Sequence, residues 1–410
     1  MSEAESKPAT LRRALTLPWL VFYGVGVTIG AGIFALIGEI LALAGGYAPL
    51  SFLLAGLIAG VTGVSYALLV SRYPRAGGEA VFVHRGLGTF PGKLVGYGVC
   101  VTGTVSSAVV ALAFAGYMQA LVPLPQEFLL AAVVCGLAGV AWFGVRESVL
   151  FAGLVTLLEV GTLAVVIFFG APLIADVPAW SPSFVPPPDG ALLAGILSGG
   201  VLAFFAFVGF EDIENMAEET VNPERTSPRA IFWTLGITVV LYVLLSIVAV
   251  MAPDRDAVAG SAAPMAALFE QITGLSGKPV AAAAAIAMVN GILVQIVMVS
   301  RVLYGMASDG IAPKWFARVD KARRTPGRAT LVVTVVILVL AFAFPLVKLA
   351  EATSLVTLAV FALVNLSLYR LGSRLDDRKL QRFRWWGLAG AVICATIAGF
   401  QILTGALGGH

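Results

Sequence analysis

A single glutamate lies in the middle of a long apolar stretch, where a charged side chain is unfavourable. Glu159 lies in VTLLEVGTLAVVIFF, without a basic residue nearby in the sequence. A carboxylate at the centre of a bilayer costs at least about 2.5–3.5 kcal/mol on insertion scales. A group that is neutral when buried and changes charge with conformation suits this position. Glu159 is therefore a candidate coupling residue.

Glycines are concentrated halfway through the first apolar stretch, GVGVTIGAGIF. The glycines are Gly24, Gly26, Gly30 and Gly32, and each costs about 0.5–1 kcal/mol relative to alanine inside a helix. This clustering predicts an unwound segment around residues 29–33. The alternative is close helix packing through small residues.

A second anomaly follows in SGGVLAFFAFVGFEDIENMAEETVNPERTSPR, which begins as an apolar helix and turns acidic after Gly209. The pattern predicts another break between Ala206 and Gly209. Backbone groups freed inside a membrane are tolerated only where they line a cavity or meet a ligand. Paired interrupted segments in corresponding positions of two halves are typical of transporters built from inverted repeats.

These breaks indicate the chemistry of a ligand. The helix that starts after Gly32 directs its positive amide end at a carboxylate, while carbonyls near Ala206 and Phe207 accept from an ammonium group. A zwitterion fits both. Phe205 is the candidate lid of this pocket, although plain packing is the alternative for every phenylalanine here, Phe210 included. The predicted substrate-binding residues are Thr28, Ile29, Gly30, Ala31, Gly32, Phe204, Phe205, Ala206, Phe207 and Gly209.

The elements that position these residues are membrane-spanning helices. Of the 410 residues, 59% are hydrophobic and 12% charged, against about 25% charged in soluble domains. The apolar runs reach the roughly 20 residues needed to cross a bilayer and lack the alternating polarity of barrel strands, which predicts an all-α fold. The eleven predicted spans are 15–44, 48–71, 92–122, 127–145, 148–171, 190–219, 228–252, 278–308, 328–345, 347–370 and 385–406.

Charge between the spans predicts their orientation. With the N-terminus inside, all but three of the 26 Lys and Arg residues fall on the cytoplasmic side, as the positive-inside rule requires. The exceptions are Arg255, Lys278 and Lys348. A further span at 261–273 would invert the basic loops downstream, so we expect a short extracellular or interfacial helix there. Residue 410 then lies outside, and a cell-membrane location is expected.

At these residues the chain resembles the amino acid–polyamine–organocation family. The resemblance rests on IGAGIF from Ile29, on FFAFVGFE followed by NPER, on SRVLYGMASDGIAPKWFARV and on RYPRAGGEAVFV. It implies a LeuT-like core over residues 15–371, with repeats at about 15–171 and 190–371. A cytoplasmic tail (1–14) precedes the core. A cytoplasmic loop and peripheral eleventh span (372–410) follow it, where family members usually have twelve or more spans.

The resemblance also bears on the carboxylates. Some proton-coupled relatives carry a lysine where Glu159 stands, so a proton carrier, a sodium ligand or a structural hydrogen bond to the first helix all remain open. Glu211 matches a family glutamate that supports gating or proton handling, and a structural acceptor for freed amides is the alternative. Asp212, Glu214, Glu218 and Glu219 are expected to pair with basic loop residues such as Arg225 and Arg229.

The expected function is secondary active transport of small or medium neutral amino acids, because no acidic side chain lies at 29–33 or 204–210. An amino acid/polyamine antiporter and a cationic amino acid transporter are alternatives. A membrane receptor or accessory subunit is the non-transport alternative, and two broken helices favour a carrier over a channel.

His84 and His410 fit no triad or metal spacing, so we expect no enzyme, catalytic residue, cofactor, metal site or nucleic-acid partner. The expected partners are the substrate, a proton or sodium ion and membrane lipid, and the oligomeric state stays open.

Overall fold

The structure is a computed structural model that describes residues 13–75, 77–144, 149–319, 323 and 325–407. In this part of the chain the secondary structure is helical, apart from one isolated bridge between Leu15 and Thr220. The α-helices are α1 (Leu17–Ile29), α2 (Gly32–Ala44), α3 (Ala48–Arg72), α4 (Gly78–Leu87), α5 (Thr89–Gln119), α6 (Gln126–Phe143), α7 (Val149–Phe169), α8 (Ala171–Ala175), α9 (Val177–Trp180), α10 (Gly190–Phe205), α11 (Pro223–Val250), α12 (Arg255–Ala259), α13 (Pro264–Thr273), α14 (Lys278–Ser308), α15 (Gly327–Ala343), α16 (Leu346–Arg374) and α17 (Arg378–Leu407). The 3-10 helices are Gly45–Tyr47, Ser181–Phe184, Phe210–Met216 and Lys314–Ala317.

The all-α membrane architecture predicted from the sequence is confirmed. Nine helical stretches of the described chain are long and apolar enough to cross a membrane, the longest of which, Gly32–Arg72, runs through α2 and α3. Leu17–Ile29 and Gly327–Ala343 are shorter apolar helices. Each of the eleven predicted spans therefore coincides with a helix, or with an interrupted pair in the first and sixth spans. The protein is a multi-pass membrane protein.

The boundaries differ from the predictions where polar or glycine-rich segments continue as helix. The loop predicted between the second and third spans contains α4, and α5 begins at Thr89 rather than at residue 92. The last helix, α17, begins at Arg378, seven residues before the predicted 385, because its first turns carry Arg and Lys side chains that the apolar pattern left out. The short helix expected at 261–273 is α13, which is ten residues long.

Helices α1 and α10 end near one another in the interior of the bundle, and their neighbours hold them there. Helix α11 packs against α1 and α3, and α10 packs against α2 and α3. Helix α7, which carries Glu159, packs against α1 and α14. The fold thus places both predicted breaks and the lone mid-span glutamate in one region.

Candidate functional site

The first helix is interrupted where the glycines predicted it. Helix α1 ends at Ile29, Gly30 adopts a φ of 29° and a ψ of −141°, and α2 begins at Gly32. A positive φ of this kind is a conformation that glycine adopts without a steric penalty. The Ala35 N–H donates to the Ala31 carbonyl at 3.0 Å as the first turn of α2 closes. The N–H groups before Ala35 have no intrahelical acceptor, since every helix leaves its first amides free.

The second break lies within the predicted interval, Ala206 to Gly209. Helix α10 ends at Phe205, and the following residues form tight turns in which the Phe207 N–H donates to the Phe204 carbonyl at 3.0 Å. Gly209 adopts a φ of 123°, and the chain continues as the 3-10 helix Phe210–Met216. The freed Gly209 N–H donates to Glu211 Oε2 at 2.8 Å. Glu211 therefore acts here as an acceptor for a freed amide, one of its two expected roles.

The two breaks are in direct contact. A Cβ at Gly209 would lie 2.9 Å from the Val27 carbonyl oxygen, and one at Gly32 would lie 2.9 Å from Ala206 Cα. Real Cβ atoms do not tolerate such distances, so both contacts require glycine. Two cavities, of about 450 and 780 Å³, lie elsewhere, the first beside the start of α17 and the second between α7 and α14. The predicted binding residues are thus brought together in a closed arrangement.

Tyr242 of α11 links the breaks, and sequence reasoning missed it. Its hydroxyl lies 2.8 Å from the Ala206 carbonyl oxygen, 3.2 Å from that of Thr28 and 3.4 Å from that of Ile29. The side chain is fully buried. A hydroxyl has one proton to donate, so three carbonyls share one donor. The available signal was a tyrosine inside an otherwise apolar helix, which must find a hydrogen-bond partner when buried.

The four phenylalanines of the second break have different surroundings. Phe204 and Phe210 pack edge-on against Phe361 of α16, and Phe207 packs against Tyr242. Phe205 instead approaches the first break, where its Cδ1 lies 3.5 Å from the Cβ position of Gly32. Three of the rings therefore pack against neighbouring helices, and Phe205 covers the amide end of α2.

Glu159 is buried at 3% exposure on α7, within electrostatic range of Tyr242. One turn earlier on the same helix, Thr156 occupies the space that a Cβ at Gly26 of α1 would need. Glu159 therefore lies on the side of α7 that borders the first break. No ion pair involves it within the described residues.

The expected pairing of Asp212 and Glu214 with basic loop residues is wrong. Neither carboxylate forms an ion pair in the part of the chain that the structure describes. Asp212 accepts from the Asn215 amide at 3.2 Å, whereas Glu214 is fully buried. The reason is that the carboxyl group of Glu214 lies against the start of α4, in the space that a Cβ at Gly78 would need, while Arg225 and Arg229 stay exposed on α11. The basic residues were near in sequence and not in space.

Backbone hydrogen bonds also join the two segments that flank the breaks, one before α1 and one after the 3-10 helix Phe210–Met216. The Leu15 N–H donates to the Glu219 carbonyl at 2.9 Å, and the Val221 N–H donates to the Leu15 carbonyl at 2.9 Å. The segment before α1 is thereby tied to the segment after the 3-10 helix. This tie closes the site on the side predicted to face the cytoplasm.

Fold and site together define a class: a multi-pass α-helical membrane protein with two interrupted helices that meet at a buried polar site. The comparison with known families agrees, because residues 15–408 match the amino acid permease family. The chain belongs to this family, which consists of permeases and not of enzymes.

Three relatives illustrate the range of the family. The chain is 34% identical to an uncharacterised transporter of Mycobacterium tuberculosis (strain ATCC 25618 / H37Rv), over 95% of this chain and 87% of that protein. It is 30% identical to the mitochondrial cationic amino acid transporter 3 of Arabidopsis thaliana, over 87% of this chain and 62% of that protein. It is 26% identical to a branched-chain amino acid permease of Bacillus subtilis (strain 168), over 91% and 84%.

The link through Tyr242 predicts a stability effect. Tyr242→Phe removes the donor that the carbonyls of Ala206, Thr28 and Ile29 share, and leaves them buried without it. We expect a loss of about 1–3 kcal/mol in the free energy of unfolding, measured by thermal or chemical denaturation of the purified protein. Tyr97→Phe is the matched control, because it removes an exposed hydroxyl that donates to the Ile311 carbonyl at 2.8 Å. Equal stability of the two variants would contradict a special role for Tyr242.

Proposed function

We propose that this protein carries amino acids across the cell membrane by alternating access, with the substrate held between the two helix breaks. The observation that carries the proposal is the contact of two interrupted helices through Gly32 and Gly209, beside carbonyl groups that have too few donors. Interrupted helices in corresponding spans are the arrangement by which many secondary transporters bind charged solutes at mid-membrane. Membership of the amino acid permease family supports the same activity.

The backbone groups of the site match the two ends of a free amino acid. The first amides of α2 point along the positive end of the helix and favour a carboxylate. The carbonyls of Thr28, Ile29 and Ala206 share the single hydroxyl proton of Tyr242. An ammonium group has three donors and would complete this set. The substrate-binding role is therefore proposed for the residues of both breaks predicted from the sequence.

For the side chain of the substrate, we propose a small or medium neutral group. Glu211 is the carboxylate nearest to the second break in sequence, and its Oε2 is already occupied by the Gly209 N–H at 2.8 Å. The remaining lining is aromatic and aliphatic, with Phe205 as the lid at the amide end of α2. A cationic amino acid or a polyamine is the alternative, which the name of the Arabidopsis relative favours, whereas that of the Bacillus relative favours a neutral one.

The wider architecture is proposed on the same basis. The core comprises residues 15–371, as two inverted repeats at about 15–171 and 190–371, and the last helix is peripheral. The loops rich in Lys and Arg place the N-terminus in the cytoplasm by the positive-inside rule. Alternating access then consists of separating α1 from the 3-10 segment on one side and α2 from α10 on the other.

Proton coupling is proposed through Glu159, with sodium as the alternative ion. Glu159 borders the first break through α1 and interacts with Tyr242, which donates to both breaks. A change of its charge would therefore alter the polarity at the point where the substrate binds. Glu211 is proposed to have a gating role through its bond to Gly209.

One transport experiment tests the function itself. Purified protein in proteoliposomes is presented with a panel of neutral and cationic amino acids and polyamines, with and without imposed proton and sodium gradients. We expect saturable uptake of neutral amino acids that a proton gradient drives. Uptake of cationic substrates alone would replace the proposed substrate class. Binding without flux would indicate a receptor or accessory subunit, and conductance without saturation would indicate a channel.

The contact at Gly32 gives a variant with a matched control. Gly32→Leu forces a side chain against the backbone of Ala206, 2.9 Å from the Cβ position, so we expect uptake to be abolished while membrane insertion is retained. Gly60→Leu adds the same side chain in α3, where no atom lies within 4 Å of the Cβ position, and should retain uptake. Normal uptake by Gly32→Leu would exclude the first break from the site.

The role of Glu159 is tested by its neutral isostere. Glu159→Gln keeps the shape of the side chain but cannot release a proton, so we expect uptake to lose its response to a proton gradient while exchange between equal pools persists. Glu127→Gln, an exposed position at the start of α6, is the control. Unchanged gradient-driven accumulation by Glu159→Gln would assign coupling elsewhere.

A further inference from the structure

Four carboxylates gather beside the second break, on the side predicted to face the cytoplasm. Glu211, Asp212 and Glu214 come from the 3-10 helix, and Glu79 comes from the first turn of α4. Electrostatic interactions connect Glu214 with each of the other three. Acidic residues that face one another need a compensating positive charge or a bound proton, because like charges repel strongly where water is scarce.

Glu214 is the member of this cluster without a partner. Its side chain is fully buried, and neither carboxyl oxygen receives a hydrogen bond from a donor in the described residues. The carboxyl group occupies the space that a Cβ at Gly78 would need, which holds it against the start of α4. Because Gly78 is the residue before Glu79, the same contact brings the Glu214 carboxyl group close to that of Glu79. Two charged carboxylates have no proton to donate to one another.

No Lys or Arg forms an ion pair with Glu79 or Glu214 among the described residues. Tyr66 of α3 is the neighbour with a proton, and its hydroxyl donates to Glu79 Oε1 at 3.4 Å. Helix α1 also packs against the 3-10 helix and carries no Lys, Arg, Asp or Glu. On α11 the basic residues Arg225 and Arg229 are exposed and form no ion pair with the cluster, within the part of the chain described.

A metal ion is not favoured either. No group of three or more His, Cys, Asp or Glu side chains converges with the geometry to hold a metal among the described residues. Two carboxyl groups close to one another instead match a shared proton, in which a neutral acid donates to a charged carboxylate. Such O–H···O⁻ bonds are short and about twice as strong as neutral ones.

We propose that Glu79 and Glu214 form a proton-binding site in which one proton, taken from water, is shared between the two carboxyl groups and joins α4 to the 3-10 helix after the second break. Loss of the proton leaves two carboxylates that repel each other and separates the two elements. Because Gly77 N–H also donates to Asn215 Oδ1 at 3.3 Å, the start of α4 is attached to the 3-10 helix at two points. The shared proton thereby controls one side of the site.

The direction of the pH dependence follows from the chemistry. Burial raises the pKa of Glu79, which lies outside the membrane-spanning helices. For an acid whose pKa is raised on folding, the added stability is fully present below the ordinary glutamate value of about 4.3 and is lost as the pH rises through the folded-state pKa. The protein should therefore be held closed at this point in acid and released as the pH rises.

The first experiment needs no transport. Infrared spectra and thermal unfolding of purified full-length protein are recorded from about pH 5 to about pH 8 for wild type, Glu214→Gln, Glu79→Gln and the control Glu224→Gln. Wild type and control should lose a carboxylic-acid C=O band and melt at lower temperature as the pH rises. In both test variants the band that is lost with rising pH should be smaller than in wild type by one acid group, and the melting temperature should vary less, because the amide of glutamine donates permanently to the remaining carboxylate. Glu224 is exposed at the start of α11.

A band loss and a pH dependence equal to those of wild type in Glu214→Gln or in Glu79→Gln would overturn the proposal, and so would a wild-type response to sodium instead of protons. Since Glu79 is only partly buried, we expect Glu79→Gln to fold, and this variant provides the test if Glu214→Gln fails to fold.

A second experiment separates this proposal from the proposed function on which its role in transport rests. Substrate exchange between equal pools in proteoliposomes, which on the proposed function does not need proton release from Glu159, is compared across the same pH range. Wild-type exchange should change by up to about tenfold per pH unit around the midpoint, the limit for one proton, and by less than about twofold in either Gln variant. If neither wild type nor any variant transports substrate but the infrared result is as expected, the proposed transport function is wrong and the proposed proton-binding site is supported. If uptake is normal and both variants keep the wild-type profile, the proton site fails alone.

Discussion

The organising constraint is that backbone N–H and C=O groups inside a bilayer must find partners within the protein. An unbroken helix satisfies this requirement by itself, and the two interrupted helices do not. At the second break Glu211 receives the freed Gly209 N–H, and between the breaks Tyr242 donates to carbonyls from both. The glycines permit the turns and the close contact. The polar side chains supply hydrogen-bond partners for only some of the backbone groups that the breaks leave free. On the proposed function, the groups that remain without a partner are those that bind the charged solute.

The buried carboxylates fall into two environments that correspond to two tasks. Glu211 accepts a hydrogen bond from the Gly209 N–H at the second break. Glu79 and Glu214 form no ion pair among the described residues, and we propose that a bound proton compensates their charge. Glu159 lies on the side of α7 that borders α1 at the first break. On the proposed function, protons at the two places would act on different parts of the cycle: one at the substrate carbonyls and one at the closure behind them.

Features that depend on a short stretch of sequence could be predicted, whereas features that depend on residues brought together by the fold could not. Apolar length predicted the spans, the cluster of glycines predicted the first break, and the change from apolar to acidic residues after Gly209 predicted the second, because each of these signals lies within one short stretch of sequence. Tyr242 was missed since its partners lie more than 30 residues away, and the pairing of Glu214 was wrong because Arg225 is near in sequence but exposed on another helix. Helix α4 was missed because it is short and only moderately apolar. The pair Glu79 and Glu214 is visible only once α4 is placed.

The direct contact between the breaks has a consequence for the carrier mechanism. A ligand shifts a conformational equilibrium only by the difference between its affinities for the two states. Because Gly32 and Ala206 leave no space between them, a zwitterion can enter only an arrangement in which the breaks have separated. On the proposed function, separation exposes carbonyls that Tyr242 alone cannot supply with donors, and the substrate's ammonium group would supply them. The free energy of substrate binding would then be linked to the movement of the helices, which a permanently open pore would not require.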